Sequence, residues 1–384
     1  MGAERINAVK TSFFGKGAIG LLPAELKKRR YKRVLIVTDK FLYETNVAKR
    51  VGDEVLKADI EYAIYYQVTP NPTTAVVNEC IEAARTLQVD ALVAVGGGSA
   101  IDTCKAVSIV LANGGKVEDY EGEEKSVKRG IPIIAINTTA GTGSEVTCFY
   151  IVTDSVRHSK MCMVDTNCMV DIAINDTDFM MSMPKGLTAS TGMDAMTHAI
   201  EAALTWKSTP LTDKDAYWAI TTIKEYLPRA VADGNDVKAR EMMAYAENVA
   251  GMAFSNAGLG MVHAMAHALG GFYNLPHGVC NAVLLPYVLE YNGKFQESAQ
   301  RFEKIADALG IQRMGNTDAV KAVVEAIRKL SREIGIPGSL TELKKVREAD
   351  FEALAKLAAA DTCMGANIVK PSLQDIIAVY HSAL

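Results

Sequence analysis

ALVAVGGGSAIDTCKAVSIVLAN, residues 91–113, is the stretch whose reading decides the fold. Residues 91–95 are a short apolar run of the kind that forms a strand buried on both faces. Gly96, Gly97, Gly98 and Ser99 supply the turn, and the helical pattern of residues 100–113 places Asp102 in the first turn of a helix. Glycines there let the backbone approach an anion, and the helix N-terminus offers free N–H groups and a partial positive charge.

The same rhythm extends outward. RVLIVTD (33–39), EYAIYY (61–66) and PIIAIN (132–137) are further strands, with helical patterns over 45–57 and 74–87 between them. Strand, helix, strand at this spacing predicts a parallel sheet with helices on both faces, whose ligands bind at the carboxyl ends of the strands. Those ends carry Asp39, Asn71 between two prolines, the glycine turn, and Thr138, Thr139, Gly141, Thr142, Gly143 and Ser144. Two loops of small and hydroxyl residues favour a diphosphate held by backbone amides. The glycines do not spell G-x-G-x-x-G, and Asp39 precedes them, so this is not the ordinary dinucleotide fingerprint. Residues 146–175 alternate apolar and polar positions around a turn at 155–160, which predicts an antiparallel hairpin. Lys160 in it is a candidate phosphate contact, although a lone lysine near a turn is most often only solvated, and His158 is read as solvated too.

After Pro184 the strand pattern stops. Helical patterns cover 186–205, 212–232, 236–254, 258–270, 280–291, 296–309, 317–334, 341–346, 349–360 and 373–383. The prediction is an α/β nucleotide-binding domain over 1–183 and an all-helical domain over 184–384, an architecture able to build a metal site from facing helices.

Four of the six histidines fall between residues 194 and 277. In TGMDAMTHAIEAAL, Asp194 and His198 are four apart and share one helix face. LGMVHAMAHALGGFYNLPHGV repeats the spacing with His263 and His267, is expected to end its helix at Gly270-Gly271, and returns His277 on the loop beyond. One aspartate and up to four histidines suit a divalent transition metal, Fe(II) or Zn(II) above all, and not calcium. Each histidine alone is more often a hydrogen-bonded core residue; the joint pattern is what points to a metal. The spacing of His263 and His267 matches the H-E-x-x-H of zinc peptidases, but Ala264 stands where that chemistry needs glutamate.

Composition narrows the rest. The chain has 384 residues, 49% hydrophobic and 22% charged, with net charge −4, the profile of an ordinary globular protein of two domains. Its one basic run, KKRRYKR at 27–33, fits a helix end leading into a strand, so nucleic acid is not expected. No apolar run approaches a membrane span, and the charged N-terminus lacks an apolar core. Seven scattered cysteines without C-x-x-C fit a reduced, cytosolic compartment.

GGGSAID, NTTAGTGSEVT, GMDAMTHAIEA, GMAFSNAGLGMVHAMAH and GGFYNLPHGVCNAVLLP together resemble the iron-containing (group III) alcohol dehydrogenases. The resemblance runs from about residue 13 to the C-terminus and is nearest the branch of lactaldehyde reductases, 1,3-propanediol dehydrogenases and NAD-dependent methanol dehydrogenases. It implies metal ligands at Asp194, His198, His263 and His277, with His267 outside that set and close to the nicotinamide. It places Asp39 on the adenosine ribose, favouring NAD over NADP, and lines the coenzyme with Asn71, Gly97, Gly98, Ser99, Asp102, Thr138, Thr139, Thr142 and Lys160. It also implies dimers or rings of dimers.

Two departures stand out. Ala100-Ile101 replaces the Pro-His or Pro-Gln of many relatives, and Phe149 stands where the lactaldehyde branch suggests a smaller polar residue. Phe149 and Phe254 are expected to narrow the pocket toward short unbranched alcohols, with Cys363 a candidate for its wall against the plainer reading of an inert buried thiol. The implied reaction is reversible hydride transfer between a short primary alcohol or diol and NAD, helped by a Lewis-acidic metal, with His267 relaying the alcohol proton. Lactaldehyde, 1,2-propanediol or 1,3-propanediol is the narrower alternative. A dehydroquinate-synthase-like lyase would need a pocket rich in Lys and Arg, and residues 186–290 carry few. A nucleotide-binding metal sensor without turnover is the non-enzymatic alternative.

Overall fold

A computed structural model describes residues 5–157, 159–312 and 318–384. His158, and residue 317 at the start of one expected helix, lie outside them. The described residues form two compact units: Asn7–Thr139 with Ser144–Ser182, and Met183–Leu384 with Ala140–Gly143 and residues 5–6.

The first unit contains the strands β1 (Thr11–Phe14), β2 (Arg33–Asp39), β3 (Glu61–Val68), β4 (Ala91–Gly96), β5 (Gly122–Glu123), β6 (Ile133–Asn137), β7 (Phe149–Asp154), β8 (Ser159–Val164) and β9 (Ile172–Asn175). Its helices are α1 (Leu22–Arg29), α2 (Lys40–Glu44), α3 (Val47–Leu56), α4 (Thr74–Leu87), α5 (Gly98–Asn113) and α6 (Thr177–Met180). Six strands pair in the order β1-β9-β6-β4-β2-β3, every pair parallel. Alternation along the strands sends Val34, Ile36, Val93 and Ile134 to one core and Leu35, Val37, Leu92 and Ala135 to the other, so both faces are buried.

From β2 the chain runs to β3 on one side, then returns to β4 on the other. This reversal makes the carboxyl ends of β2 and β4 a topological switch point, where ligands of such sheets bind. Asp39 ends β2, and Gly97 is the N-cap of α5 directly after β4.

Two readings of this half are corrected. Only β7 and β8 form the antiparallel hairpin. Residues 172–175 are a parallel strand of the main sheet, inserted between β1 and β6, and β1 had no expectation at all. β9 is buried along its whole length, so its short apolar run carries no alternation to separate it from hairpin sequence.

The second unit contains α7 (Lys185–Leu204), α8 (Pro210–Ala232), α9 (Val237–Ala257), α10 (Met261–Tyr273), α11 (His277–Asn292), α12 (Ala299–Ala308), α13 (Ala319–Glu333), α14 (Phe351–Ala360) and α15 (Leu373–Ser382). Residues 341–346 hold only a 3-10 turn, Thr341–Leu343, stopped by Lys344 in a left-handed conformation. No helix among the described residues is long and apolar enough to cross a membrane.

Helix α10 does not stop at Gly270-Gly271. It continues to Tyr273 and ends at Asn274, whose φ of 51° is left-handed. Two helical glycines cost about 1 kcal/mol each relative to alanine, which burial of the preceding turn outweighs. Consequently His277 is the first residue of α11 rather than a loop residue. Gly278, next to it, permits a close approach: a Cβ there would stand 2.4 Å from the Ser190 carbonyl oxygen and 3.4 Å from the Asp194 Cβ. The N-terminus of α11 can therefore press on α7 beside Asp194.

Candidate metal centre

Asp194 and His198 sit one turn apart on α7, His263 and His267 one turn apart on α10, and His277 opens α11. All but His277 are almost completely buried; the His277 side chain is 24% exposed, so the cluster meets solvent at that ring. His263 Nε2 lies 3.8 Å, and His277 Nε2 3.6 Å, from Asp194 Oδ1. Tetrahedral ligands about 2.1 Å from an ion are about 3.4 Å apart, so each of these two nitrogens need close on Asp194 by only a few tenths of an ångström, and all three atoms lie within 4.8 Å of one another.

The Asn281 side chain, one turn after His277, reports what that space wants. Its amide nitrogen is 2.6 Å from Asp194 Oδ1, 3.0 Å from His263 Nε2 and 3.1 Å from His277 Nε2. An –NH2 group brings two hydrogens to three acceptors, the donor set that a cation satisfies better. The residues present therefore fit a divalent ion.

His198 lies beside this trio rather than in it. Its ring stacks between Phe254, 4.3 Å away, and His263, 4.5 Å away. Its buried Nδ1 has no hydrogen-bond partner among the described residues. Burial first, and then His263, hold its imidazole well below the usual histidine range, keeping it neutral as a metal ligand must be.

His267 is turned elsewhere. Its Nδ1 meets Asp361 Oδ2 at 2.8 Å, and its ring stacks on His277 at 5.2 Å. Burial alone would raise the Asp361 carboxyl, but His267 and the Cys363 N–H together hold it below the usual range. Cys363 is itself buried directly after this carboxylate.

The coenzyme candidates divide by position. Asp39 caps α2, accepting the Leu42 N–H at 2.9 Å. Gly97, Gly98 and Ser99 form the start of α5, which has no side-chain cap, and Thr138 and Thr139 follow β6. Thr142 belongs to Ala140–Gly143, which groups with the helices: Gly143 N–H donates to Glu247 Oε2 at 2.8 Å. Asn71, left-handed at φ 53°, follows β3, and Lys160 lies in β8. Asp102 is turned inward, its carboxylate accepting the Ser144 hydroxyl at 2.6 Å and the Ile151 N–H at 3.0 Å. Phe149 opens β7 of the α/β unit, whereas Phe254 packs on His198 in the helical unit.

Four residues of these sites were not singled out from sequence: Asn281 and Asp361, together with Glu201, whose carboxylate meets His263 Nδ1, and Lys105, which donates to the Ser144 carbonyl beside Asp102. Asn281 and Glu201 were readable by spacing, four after His277 and three after His198. Lys105 and Asp361 were not, since their partners are 39 to 44 and 94 residues away.

Comparison with known proteins follows the same division. The model of the iron-containing alcohol dehydrogenases matches residues 10–177, and that of the C-terminal region of the Fe-containing alcohol dehydrogenase family matches residues 188–384. The lactaldehyde reductase of Escherichia coli strain K12 is 44% identical, over 99% of this chain and 100% of the relative. The NAD-dependent methanol dehydrogenase of Bacillus methanolicus is 41% identical, over 97% and 98%. A crystal structure of 1,3-propanediol oxidoreductase superposes with a TM-score of 0.95 at 39% identity, covering 100% of both chains.

Proposed function

This chain belongs to the iron-containing alcohol dehydrogenase family and is an oxidoreductase of alcohols; on that premise we propose that it moves a hydride reversibly between a short primary alcohol or diol and NAD, with a divalent ion, Fe(II) first, held by Asp194, His198, His263 and His277. The observation that carries this reading is the convergence of Asp194 Oδ1, His263 Nε2 and His277 Nε2 on one amide nitrogen. A bound ion supplies Lewis acidity that makes an alcohol's proton easier to lose.

The side chains do the remainder. Asp194 contributes the one carboxylate of the set, so the site keeps net positive charge for an oxygen substrate. Phe254, stacked on His198, gives the helical unit an apolar surface beside the ligands, which suits the carbon end of a short alcohol. His267 takes up the alcohol proton and passes it to water. Asp361 holds the ring by Nδ1, which leaves Nε2 as the exchanging atom.

On the coenzyme side the free N–H groups at the start of α5 take the pyrophosphate, and Asp39 accepts from an adenosine ribose hydroxyl. Asn71, Thr138, Thr139, Thr142 and Lys160 complete the surroundings, while Asp102 acts through its hold on Ser144 and Ile151. Seven buried free thiols support a reducing, cytosolic setting, and the family expectation is a homodimer or multiple of dimers.

The test is to strip the protein with chelator and restore it anaerobically with Fe(II), Zn(II), Mn(II) or Mg(II). NADH absorbance is then followed with C1 to C4 alcohols, diols and lactaldehyde. Turnover restored by Fe(II) or Zn(II) and confined to short primary alcohols and diols is expected; full turnover without any ion would end the reading.

A further inference from the structure

The helix face that carries Asp194 and His198 holds a third ionisable side chain. Glu201 follows them by seven and three residues, spacings that return to one side of α7, and it is buried. Its Oε2 lies 2.5 Å from His263 Nδ1, and its Oε1 accepts the Val262 N–H at 2.7 Å. Nothing about the alcohol chemistry requires a carboxylate at this place, yet burying one beside the ligands is costly unless it is fully used.

Its use is legible in the ring it touches. Both Glu201 oxygens face backbone N–H groups, Oε1 that of Val262 and Oε2 that of His263 at 3.4 Å, so Glu201 meets the ring as an acceptor: His263 Nδ1 carries the hydrogen and Nε2 keeps its lone pair. Nε2 is the atom directed at Asp194 Oδ1 and the Asn281 amide. The same carboxylate also secures the start of α10, whose N-cap, Gly260, has no side chain to cap it. Glycine at 260 is what lets Glu201 in: a Cβ would stand 3.0 Å from Glu201 Oε1 and 2.7 Å from Asn367 Oδ1.

We propose that Glu201 is a positioning residue of the metal centre, which fixes His263 in its Nδ1–H tautomer, aims Nε2 at the ion and ties the first turn of α10 to α7. The inference rests on the ligand reading given above. A carboxylate behind a ligating imidazole makes the ring a stronger donor and holds it in the productive rotation, and its loss typically weakens metal binding about 10- to 100-fold.

The experiment compares the ion-free full-length protein with Glu201→Gln and with Asn367→Ala. Asn367 Oδ1 accepts the Met261 N–H at 3.1 Å, so it holds the same helix end without touching His263. Each protein is titrated anaerobically with Co(II) against a competing chelator, its visible Co(II) spectrum is recorded, and its thermal melting is measured without ion. The wild type is expected to bind one Co(II) per chain. Glu201→Gln should bind about 10- to 100-fold more weakly with shifted bands, while Asn367→Ala should melt lower without ion yet bind Co(II) as tightly as the wild type. Wild-type affinity and spectrum in Glu201→Gln, or equal affinity losses in both variants, would overturn the positioning role. A wild type that binds no Co(II) would instead remove the ligand reading, and this inference with it.

Discussion

Lys105 is fully buried on α5, two turns below the glycines that begin it. Its ammonium donates to the backbone carbonyls of Ser144, Thr147 and Phe149 at 2.6, 2.9 and 2.7 Å. It also reaches the Ser144 hydroxyl at 3.1 Å, which in turn donates to Asp102 at 2.6 Å. One cation thus joins α5, the segment before β7 and a buried carboxylate. Burial raises the Asp102 carboxyl, and Lys105 is the first of the groups that counter this. Substitution by Met keeps the stem and removes the charge, so three carbonyls lose their donor and Asp102 loses its counter-charge. Lys105 and Asp102 are joined through the Ser144 hydroxyl rather than directly, and leaving a buried carboxylate without its counter-charge costs about 3–5 kcal/mol. With a urea slope of about 3 kcal/mol per molar, Lys105→Met should lower the midpoint of unfolding by about 1–1.7 M.

The assay can separate the two units, because both tryptophans, Trp206 and Trp218, lie in the helical one. The shift should appear in far-ultraviolet circular dichroism and less in tryptophan fluorescence. NADH binding should weaken as the start of α5 loses its anchor, by up to about 10²-fold if the loop moves by an ångström, while metal content stays at the wild-type level. An unmoved dichroism midpoint together with unchanged NADH affinity would refute the reasoning.

Three further outcomes are expected. Asp39→Ser keeps a residue able to cap α2 but removes the charge proposed to meet the ribose; the KM for NAD should rise about 10- to 100-fold, since a hydrogen bond to a charged group is worth about 1.5–3 kcal/mol, and NADP should gain relative to NAD. Equal use of both coenzymes by the wild type would remove this role for Asp39. His267→Ala should lower kcat about 10²-fold near neutral pH, the low end for general acid–base catalysis, with the loss shrinking in alkali, where hydroxide takes the proton; an unaltered rate and pH profile would end the relay. Asp154 accepts from Arg157 Nε at 2.5 Å and from the N–H groups of Val156 and Arg157, and the Arg157 side chain first, then its backbone, lowers its carboxyl. A carboxyl depressed in the folded state contributes stability above its unfolded value of about 3.9 and loses it as pH falls through the folded value. Asp154→Asn should therefore melt lower than wild type by about 1–4 °C at pH 7, the gap closing in acid, and a gap that persisted at pH 2 would contradict this.

The sequence carried whatever depends on near neighbours in the chain. β2, β4, β6 and the helices around them follow from apolar runs broken by turns, and Asp194 with His198, like His263 with His267, follows from helical spacing. What it did not carry lies in long-range pairing. β1 and β9 are four residues each; β1 becomes a strand by pairing with β9 across 157 intervening residues, and β9 by lying between β1 and β6. The end of α10 was misplaced because two glycines signal a stop that burial overrides, while Asn274 holds the turn. Glu201 had both the spacing and the carboxylate of a site residue and could have been read from the chain. Asp361 had the carboxylate but no spacing to mark it, and only the fold brings it to His267.

The account depends most on which atoms surround the ion, and X-ray absorption of protein loaded with one equivalent of Fe(II) or Zn(II) reads them directly. It predicts a shell of nitrogen and oxygen at about 2.0–2.2 Å with the outer scattering of three imidazoles, one imidazole fewer in His277→Ala, and no sulfur. A sulfur shell at about 2.3 Å, or a spectrum indifferent to His277→Ala, would contradict it.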